Sequence, residues 1–340
     1  MIGAKDFGID LGTDHIRTYI PGSNIVTEPD LVVYFRGTDQ LAAIGTRAER
    51  LLQSDAERYV QYELKDRGEI HDYSTARDTL SYLIHQNQRF SFLLHPDLLM
   101  AIPHGSSVIE RKALRDLCVQ AGFNDKGLYF IDELLASAIG AELPVTEAIG
   151  SMIINIGAGN TQAGVFSLGG LVSAGSIHVG GRDLDRLIVE HVLHYYDIMI
   201  DISAAEKAKM QIGSVLPHDM GEVDQMTVEG RAVRTGLPDS VIITTQELRE
   251  AITPAVRDMI DCIGAVLEDT PPDIAADLME SGITATGGGI MMKGLKELLE
   301  ERTGLTIHQA ERPTEAVIRG IQKVIQKPSA WTGVFSELLQ

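Results

Sequence analysis

Four carboxylates, a lysine and three glycine clusters are the residues of this sequence whose types and spacing could do chemistry. Asp10 closes the apolar run Phe7-Gly8-Ile9 and is followed by the turn Leu11-Gly12-Thr13-Asp14-His15 and a second β-rich run, Ile16-Arg17-Thr18-Tyr19-Ile20. Glycine lacks a Cβ, so such a turn lets backbone N–H groups converge on an anion, and phosphate is the natural guest. A carboxylate at the end of the first strand is then placed to hold a hydrated Mg²⁺ rather than the phosphate itself. The design recurs where Met152-Ile153-Ile154-Asn155-Ile156 runs into Gly157-Ala158-Gly159-Asn160 and back through Thr161 to Gly169. A third cluster, Thr286-Gly287-Gly288-Gly289-Ile290-Met291, leads from a strand toward a helix and admits a flat base or an α-phosphate. Any one of these is an ordinary turn; three in series point to a nucleotide.

Asp132 and Glu133 stand where the strand around Leu128-Tyr129-Phe130-Ile131 meets a small-residue helix, Leu134 to Gly140. A carboxylate at a helix start is commonly a dipole partner, but one facing the phosphates could orient a water for attack on the γ-phosphate. Glu206 and Lys209 fall three apart on one helical face behind an expected N-cap at Ser203, which reads either as a surface ion pair or as a pair of ribose ligands.

Two glycine hairpins, each opening one half of the chain, imply a duplicated α/β fold. A length of 340 residues also exceeds one ordinary core, so two lobes are expected. Between the hairpins the pattern predicts strand over 25–35, strand into helix over 41–53, a polar turn over 62–73, a helix capped by Ser74, a strand over 98–103 and a helix over 108–121 capped by Ser106 or Ser107. Beyond the second hairpin it predicts a strand over 172–179, helices over 183–196 and 245–267, a small β-rich segment over 221–244, a strand over 303–308 and a last helix over 313–325.

Apolar Phe92, Leu93 and Leu94 fall in what should be a loop, which reads as a core staple or as an exposed finger for a bilayer or partner. Trp331, Phe335, Leu338 and Leu339 at helical spacing suggest a docking tail. Composition narrows the classes. A formal charge of −19 argues against nucleic-acid partners and against electrostatic attraction to anionic lipid. No apolar run approaches transmembrane length, and the chain leads from Met1 straight into the first hairpin without a secretory signal. Two distant cysteines, Cys118 and Cys262, read as buried thiols of a reducing cytoplasm.

The order acid hairpin, second hairpin, base turn resembles the actin and heat-shock chaperone ATPase superfamily, and within it the bacterial actins of the MreB family, from about Asp6 to the tail. Asp10-Leu11-Gly12-Thr13 is similar to the family's first phosphate loop, and Asn155 to Thr161 to its second. The resemblance implies ATP or ADP with Mg²⁺, the metal on Asp10 and Asn155, and the nucleotide on Gly12, Thr13, Asp14, His15, Gly157, Ala158, Gly159, Asn160, Glu206, Lys207, Lys209, Gly287, Gly288, Gly289, Ile290 and Met291. It gives Glu133 the water-orienting role and makes Phe92, Leu93 and Leu94 a membrane-insertion loop. The implied fold is a duplicated actin-like ATPase of two lobes and four subdomains around a nucleotide cleft: 1–31, 75–145 and 316–340 (IA), 32–74 (IB), 146–181 and 246–315 (IIA), and 182–245 (IIB). The implied function is polymerisation into paired protofilaments at the inner face of the membrane, with membrane proteins of cell elongation as partners and cell shape and wall synthesis as the purpose. This sequence departs from the family pattern at Asn155 (aspartate in the family), Asn160 (threonine), Ala158 (glycine) and Leu134 (proline), so ATP binding with slow hydrolysis is expected. A non-hydrolysing scaffold and a sugar kinase of the same superfamily are the alternatives; the kinase would need a carboxylate base beside a sugar pocket, and no such motif stands out.

Overall fold

A computed structural model describes residues 7–66, 68–70, 72–86, 95–216 and 224–331. The apolar finger Phe92-Leu93-Leu94 and the tail beyond Trp331 lie outside the described residues. The chain divides into two compact units, one of residues 1–149, 166–172 and 314–340, the other of 150–165 and 173–313.

The first unit opens with strands β1 (Phe7–Leu11), β2 (His15–Tyr19), β3 (Val26–Pro29), β4 (Val32–Phe35) and β5 (Leu41–Ile44), then helix α1 (Thr46–Asp55). It continues through β6 (Tyr59–Tyr62), β7 (Lys65–Asp66), β8 (Glu69–Ile70), α2 (Tyr73–Gln86), β9 (Leu98–Ile102), α3 (Val108–Ala121), β10 (Leu128–Asp132) and α4 (Glu133–Gly140). Its main sheet has the order β10-β9-β1-β2-β3, with β9 parallel to both β1 and β10. Strand alternation sorts β1 cleanly: Phe7, Ile9 and Leu11 join a core with Leu80, Leu83 and Leu117 of α2 and α3. Gly8 faces the other way, where an added Cβ would come within 2.5 Å of Ile321. Asp10, two residues on, therefore shares the Gly8 face.

The second sheet is formed by β11 (Ser151–Ile156), β12 (Thr161–Ser167), β13 (Gly170–Ile177), β17 and β18. Between β13 and these last strands come α5 (Gly181–Tyr196), β14 (Ile198–Met199), α6 (Ile202–Ile212), β15 (Gln225–Ala232), β16 (Pro238–Thr244), α7 (Thr245–Glu268) and α8 (Pro272–Ser281). Then β17 (Ile283–Thr286), α9 (Leu295–Thr303) and β18 (Ile307–Gln309) complete it, before α10 (Ala316–Gln326) returns to the first unit. Its order, β13-β12-β11-β17-β18, repeats that of the first sheet strand for strand. The duplication inferred from the two hairpins is thus present in the topology. In the first unit α4 and α10 cross at backbone distance: a Cβ on Gly140 would stand 1.8 Å from the Ala316 carbonyl oxygen, and one on Gly320 1.8 Å from that of Ala136.

Several local expectations need correction. Asp72, not Ser74, caps α2: its carboxylate accepts from the Ser74 N–H at 2.9 Å, and Ser74 lies inside the helix. Ser203 likewise lies inside α6, whose N-cap is Asp201. Of the two candidates before α3, Ser107 is the cap, in a reciprocal capping box with Glu110. The strand expected over 303–308 is β18, Ile307–Gln309, because α9 runs on to Thr303. Helix α8, opened by Pro271-Pro272, has no counterpart in the sequence reading. Cys118 is buried, which pushes its thiol up to about 12, but Cys262 is only half-buried. No helix among the described residues is long and apolar enough to cross a membrane.

Candidate functional site

Parallel strands β1, β9 and β10 bring their carboxyl ends to one edge of the first sheet, and the expected acids stand there. Asp10 is 5% exposed, and burial pushes its carboxyl up to about 6. Three charges modulate that effect: Arg17 and Lys65 favour the carboxylate, while Glu133 opposes it. Arg17 sits opposite Asp10 in the β1–β2 register, with Nη1 3.6 Å from Asp10 Oδ2. Lys65 is buried on the short strand β7. Neither cation was singled out from the sequence, since both reach Asp10 only through pairing and packing.

The two junction carboxylates have different employment. Asp132 Oδ1 accepts from the Leu134 N–H at 2.9 Å as the N-cap of α4, while Oδ2 pairs with His104 Nδ1 at 2.8 Å. Glu133 is half-buried at the first position of α4, and its charge reaches Asp10. His104, just past β9, is a further polar neighbour that no sequence spacing indicated. In the turn itself the Gly12 N–H donates to the His15 carbonyl at 3.1 Å, and a Cβ there would meet that oxygen at 2.7 Å, so glycine is required. Thr13 is buried, and Asp14 and His15 are drawn to each other at 2.6 Å.

In the second unit β11 and β17 are parallel neighbours, with Asn155 opposite Thr286. The second and third glycine clusters therefore leave adjacent strand ends. Asn155 is buried, its Oδ1 3.4 Å from Thr286 Oγ1. Gly287, at φ 84°, lies so close that a Cβ would stand 2.1 Å from the Ile156 carbonyl oxygen and 2.8 Å from Asn155 Oδ1. The turn after Gly289 is a short 3₁₀ segment, Gly289–Met291, rather than the start of the helix, which begins at Leu295. Ile290 is buried and Met291 exposed.

The loop 157–160 is closed by its own bond, Gly157 N–H to the Asn160 carbonyl at 2.8 Å. It is seated on α5: Gly181 N–H donates to the Gly157 carbonyl at 3.0 Å and Arg182 N–H to that of Ala158 at 2.8 Å. Gly180 makes this seat possible, because a Cβ there would stand 2.4 Å from the Ala158 carbonyl oxygen. The carbonyls of Gly157, Ala158 and Asn160 are thus engaged. Among the described residues the N–H groups of Ala158 and Gly159 have no acceptor, which is the arrangement that accepts an anion.

On α6 the expected Glu206–Lys209 pair does not form. Lys209 Nζ stands 2.8 Å from both oxygens of buried Asp185, with one of them in hydrogen-bond geometry, and also donates to the Gly181 carbonyl at 2.8 Å. Burial pushes Asp185 up to about 6 against the pull of Lys209. Glu206 and Lys207 are exposed on the same helix. Lys209 is therefore a brace between α6 and the first turn of α5, and the two exposed side chains are the ones available to a ligand.

A family model described as MreB/Mbl protein matches residues 4–332. The chain is 34% identical over 341 residues to the cell shape-determining protein MreB of Escherichia coli (strain K12), covering 98% of this chain and 97% of that one. Among solved structures it is similar to MreB 5 of Spiroplasma citri bound to AMPPNP, with a TM-score of 0.86 and 28% identity over 95% of this chain and 96% of that one. It is also similar in fold to a chain of the MamK double helical filament, with a TM-score of 0.77 at 18% identity over 94% of this chain and 98% of that one.

Proposed function

The chain belongs to the MreB/Mbl family of cell shape-determining proteins and has the actin-like fold, and from that premise we propose that it is an adenine-nucleotide-dependent cytoskeletal polymer. The observation that carries this reading is the pair of unpartnered amides at Ala158 and Gly159, in a loop whose Gly157 and Ala158 carbonyls are bound to α5. Two adjacent N–H groups without an acceptor, at the end of a buried strand, suit a phosphate. Asp10, the expected carboxylate, would hold Mg²⁺ through its water shell; a single carboxylate with phosphate oxygens and water is a usual magnesium set. A divalent ion supplies charge neutralisation of the phosphates when bound, and it would relieve the electrostatic cost of ionising Asp10 in its buried setting. Glu133 would orient the attacking water, Glu206 and Lys207 would meet the ribose hydroxyls, and Gly287 to Met291 the base.

The Spiroplasma citri relative holds AMPPNP, which supports a nucleotide here. The MamK chain of similar fold belongs to a double helical filament, in keeping with self-assembly into paired protofilaments. ATP would favour the conformation that assembles through its higher affinity for that conformation. The working place of the polymer would be the inner face of the membrane, reached through Phe92, Leu93 and Leu94, with membrane proteins of cell elongation as partners and wall synthesis as the outcome. The division into subdomains IA, IB, IIA and IIB belongs to the same proposal.

Asn155 favours a second reading, a scaffold that binds ATP and scarcely hydrolyses it, because an amide brings no negative charge to hold the metal or polarise the water. Sedimentation with and without Mg-ATP, with phosphate release measured in parallel, separates the readings. ATP-dependent pelleting with phosphate release supports the polymer, pelleting without release supports the scaffold, and a pellet indifferent to ATP overturns both.

A further inference from the structure

His104 lies two residues past β9, the strand whose Ile102 stands opposite Asp132 in the β9–β10 register. A tight turn holds it there. The Ser106 N–H and hydroxyl both donate to the Pro103 carbonyl, at 3.3 and 2.7 Å, and Gly105 takes a φ of 81° that glycine adopts freely. Arg111 of α3 donates to the Ser106 carbonyl at 2.9 Å and ties the turn to that helix. From this turn His104 Nδ1 reaches Asp132 Oδ2 at 2.8 Å, the two side chains being 22% and 10% exposed. A carboxylate can only accept, so Nδ1 carries the proton. Capping α4 does not require this contact, because Oδ1 alone accepts from the Leu134 N–H at 2.9 Å. A carboxylate held at one oxygen can still turn about its Cβ–Cγ bond; held at both, its plane is fixed. The residue that follows Asp132 is Glu133, the first of α4.

We propose that His104 is a positioning residue for ATP hydrolysis: by holding the second oxygen of Asp132 it fixes the first turn of α4, and with it the Glu133 carboxylate that orients the attacking water. This rests on the nucleotide reading above, in which Glu133 has that role, and deepens it. His104 acts only through Asp132 and touches neither the nucleotide nor the water. Misplacing a group by about 1 Å in the reacting geometry costs up to about 100-fold in rate, whereas a partly exposed ion pair adds little to stability. The contact therefore weighs more on turnover than on the fold.

The test is phosphate release by the full chain with Mg-ATP, resolved into kcat and KM, with ATP affinity measured by calorimetry and thermal melts run alongside. Wild type is compared with His104→Ala, with His104→Asn, whose amide presents an N–H near the place of Nδ1, with Asp132→Ala and with the double variant His104→Ala, Asp132→Ala. His104→Ala is expected to lower kcat by about tenfold, with ATP affinity and melting temperature close to those of wild type. His104→Asn should recover most of kcat, and in the Asp132→Ala background the loss of His104 should cost nothing further. Equal kcat in wild type and His104→Ala, a parallel loss of kcat and ATP affinity, no recovery in His104→Asn, or additive losses in the double variant overturns the assignment while leaving the nucleotide reading standing. If wild type binds ATP and releases no phosphate, Glu133 orients no water and the assignment falls; if wild type binds no ATP, the nucleotide reading fails and takes the assignment with it. Should His104→Ala not fold, His104→Leu carries the same comparison.

Discussion

The two glycine hairpins occupy the same place in sheets of the same strand order, yet they are built from different physics. The first concentrates charge: Asp10 is buried among Arg17, Lys65 and Glu133. In the second the strand carries a neutral amide, Asn155, and the loop is shaped by backbone contacts with Gly180, Gly181 and Arg182. The nearby charges, Asp185 and Lys209, are closed on each other one layer back. A duplicated fold can therefore vary its two copies, one built around buried charge and the other around backbone amides.

That contrast can be broken at its firmest point first. Lys209→Met leaves the Asp185 carboxyl buried without its cation and removes the brace on Gly181; a loss of about 3 kcal/mol in urea unfolding is expected. A loss below roughly 0.5 kcal/mol, the level of an ordinary surface substitution, would mean that the pair is not what seats α5. Gly287→Ala places a methyl 2.1 Å from a carbonyl oxygen at a positive φ, and a cost of about 2–3 kcal/mol follows. The equivalent change in an open turn, Gly236→Ala, has only the φ penalty, about 1 kcal/mol.

Asp10→Asn should act in the opposite direction. Below about pH 4 the carboxyl is protonated in both folded and unfolded chains, so the substitution changes little. Between about pH 4 and 6 the unfolded carboxyl ionises while the buried one resists, so wild-type stability falls as pH rises, and the penalty persists above pH 6. At pH 8 without metal the variant is expected to be more stable than wild type, by on the order of 1–3 kcal/mol, and to lose any stabilisation by Mg²⁺ with ATP. A variant less stable than wild type at pH 8 would mean that the charges around Asp10 outweigh its burial. The smallest effect concerns the second hairpin: Asn155→Asp restores a carboxylate and should raise phosphate release by about tenfold, and no increase would count against a charge-limited site.

Much of this was legible in the sequence because glycine turns and strand alternation are local signals. The acid at Asp10 and the hairpin at 157–160 each follow from residues a few positions apart, and the same local signal narrows the cap of α3 to Ser106 or Ser107. Long-range pairing escaped it. Arg17 meets Asp10 through strand register, Lys65 comes from a two-residue strand, and Lys209 chose Asp185, 24 residues away, over Glu206 on its own face. Ser74 and Asp72 are both competent caps, and only the first helical residue decides between them. Helix α8 was missed because its buried face is little more than Leu278.

The central proposal is that the chain binds one adenine nucleotide. Calorimetric titration of the full chain with Mg-ATP tests it most directly, alongside Asp10→Asn and a Gly159→Pro variant that removes one loop N–H. A single saturable site, weakened by each change, is the expected result; no saturable binding, or binding indifferent to both changes, contradicts it.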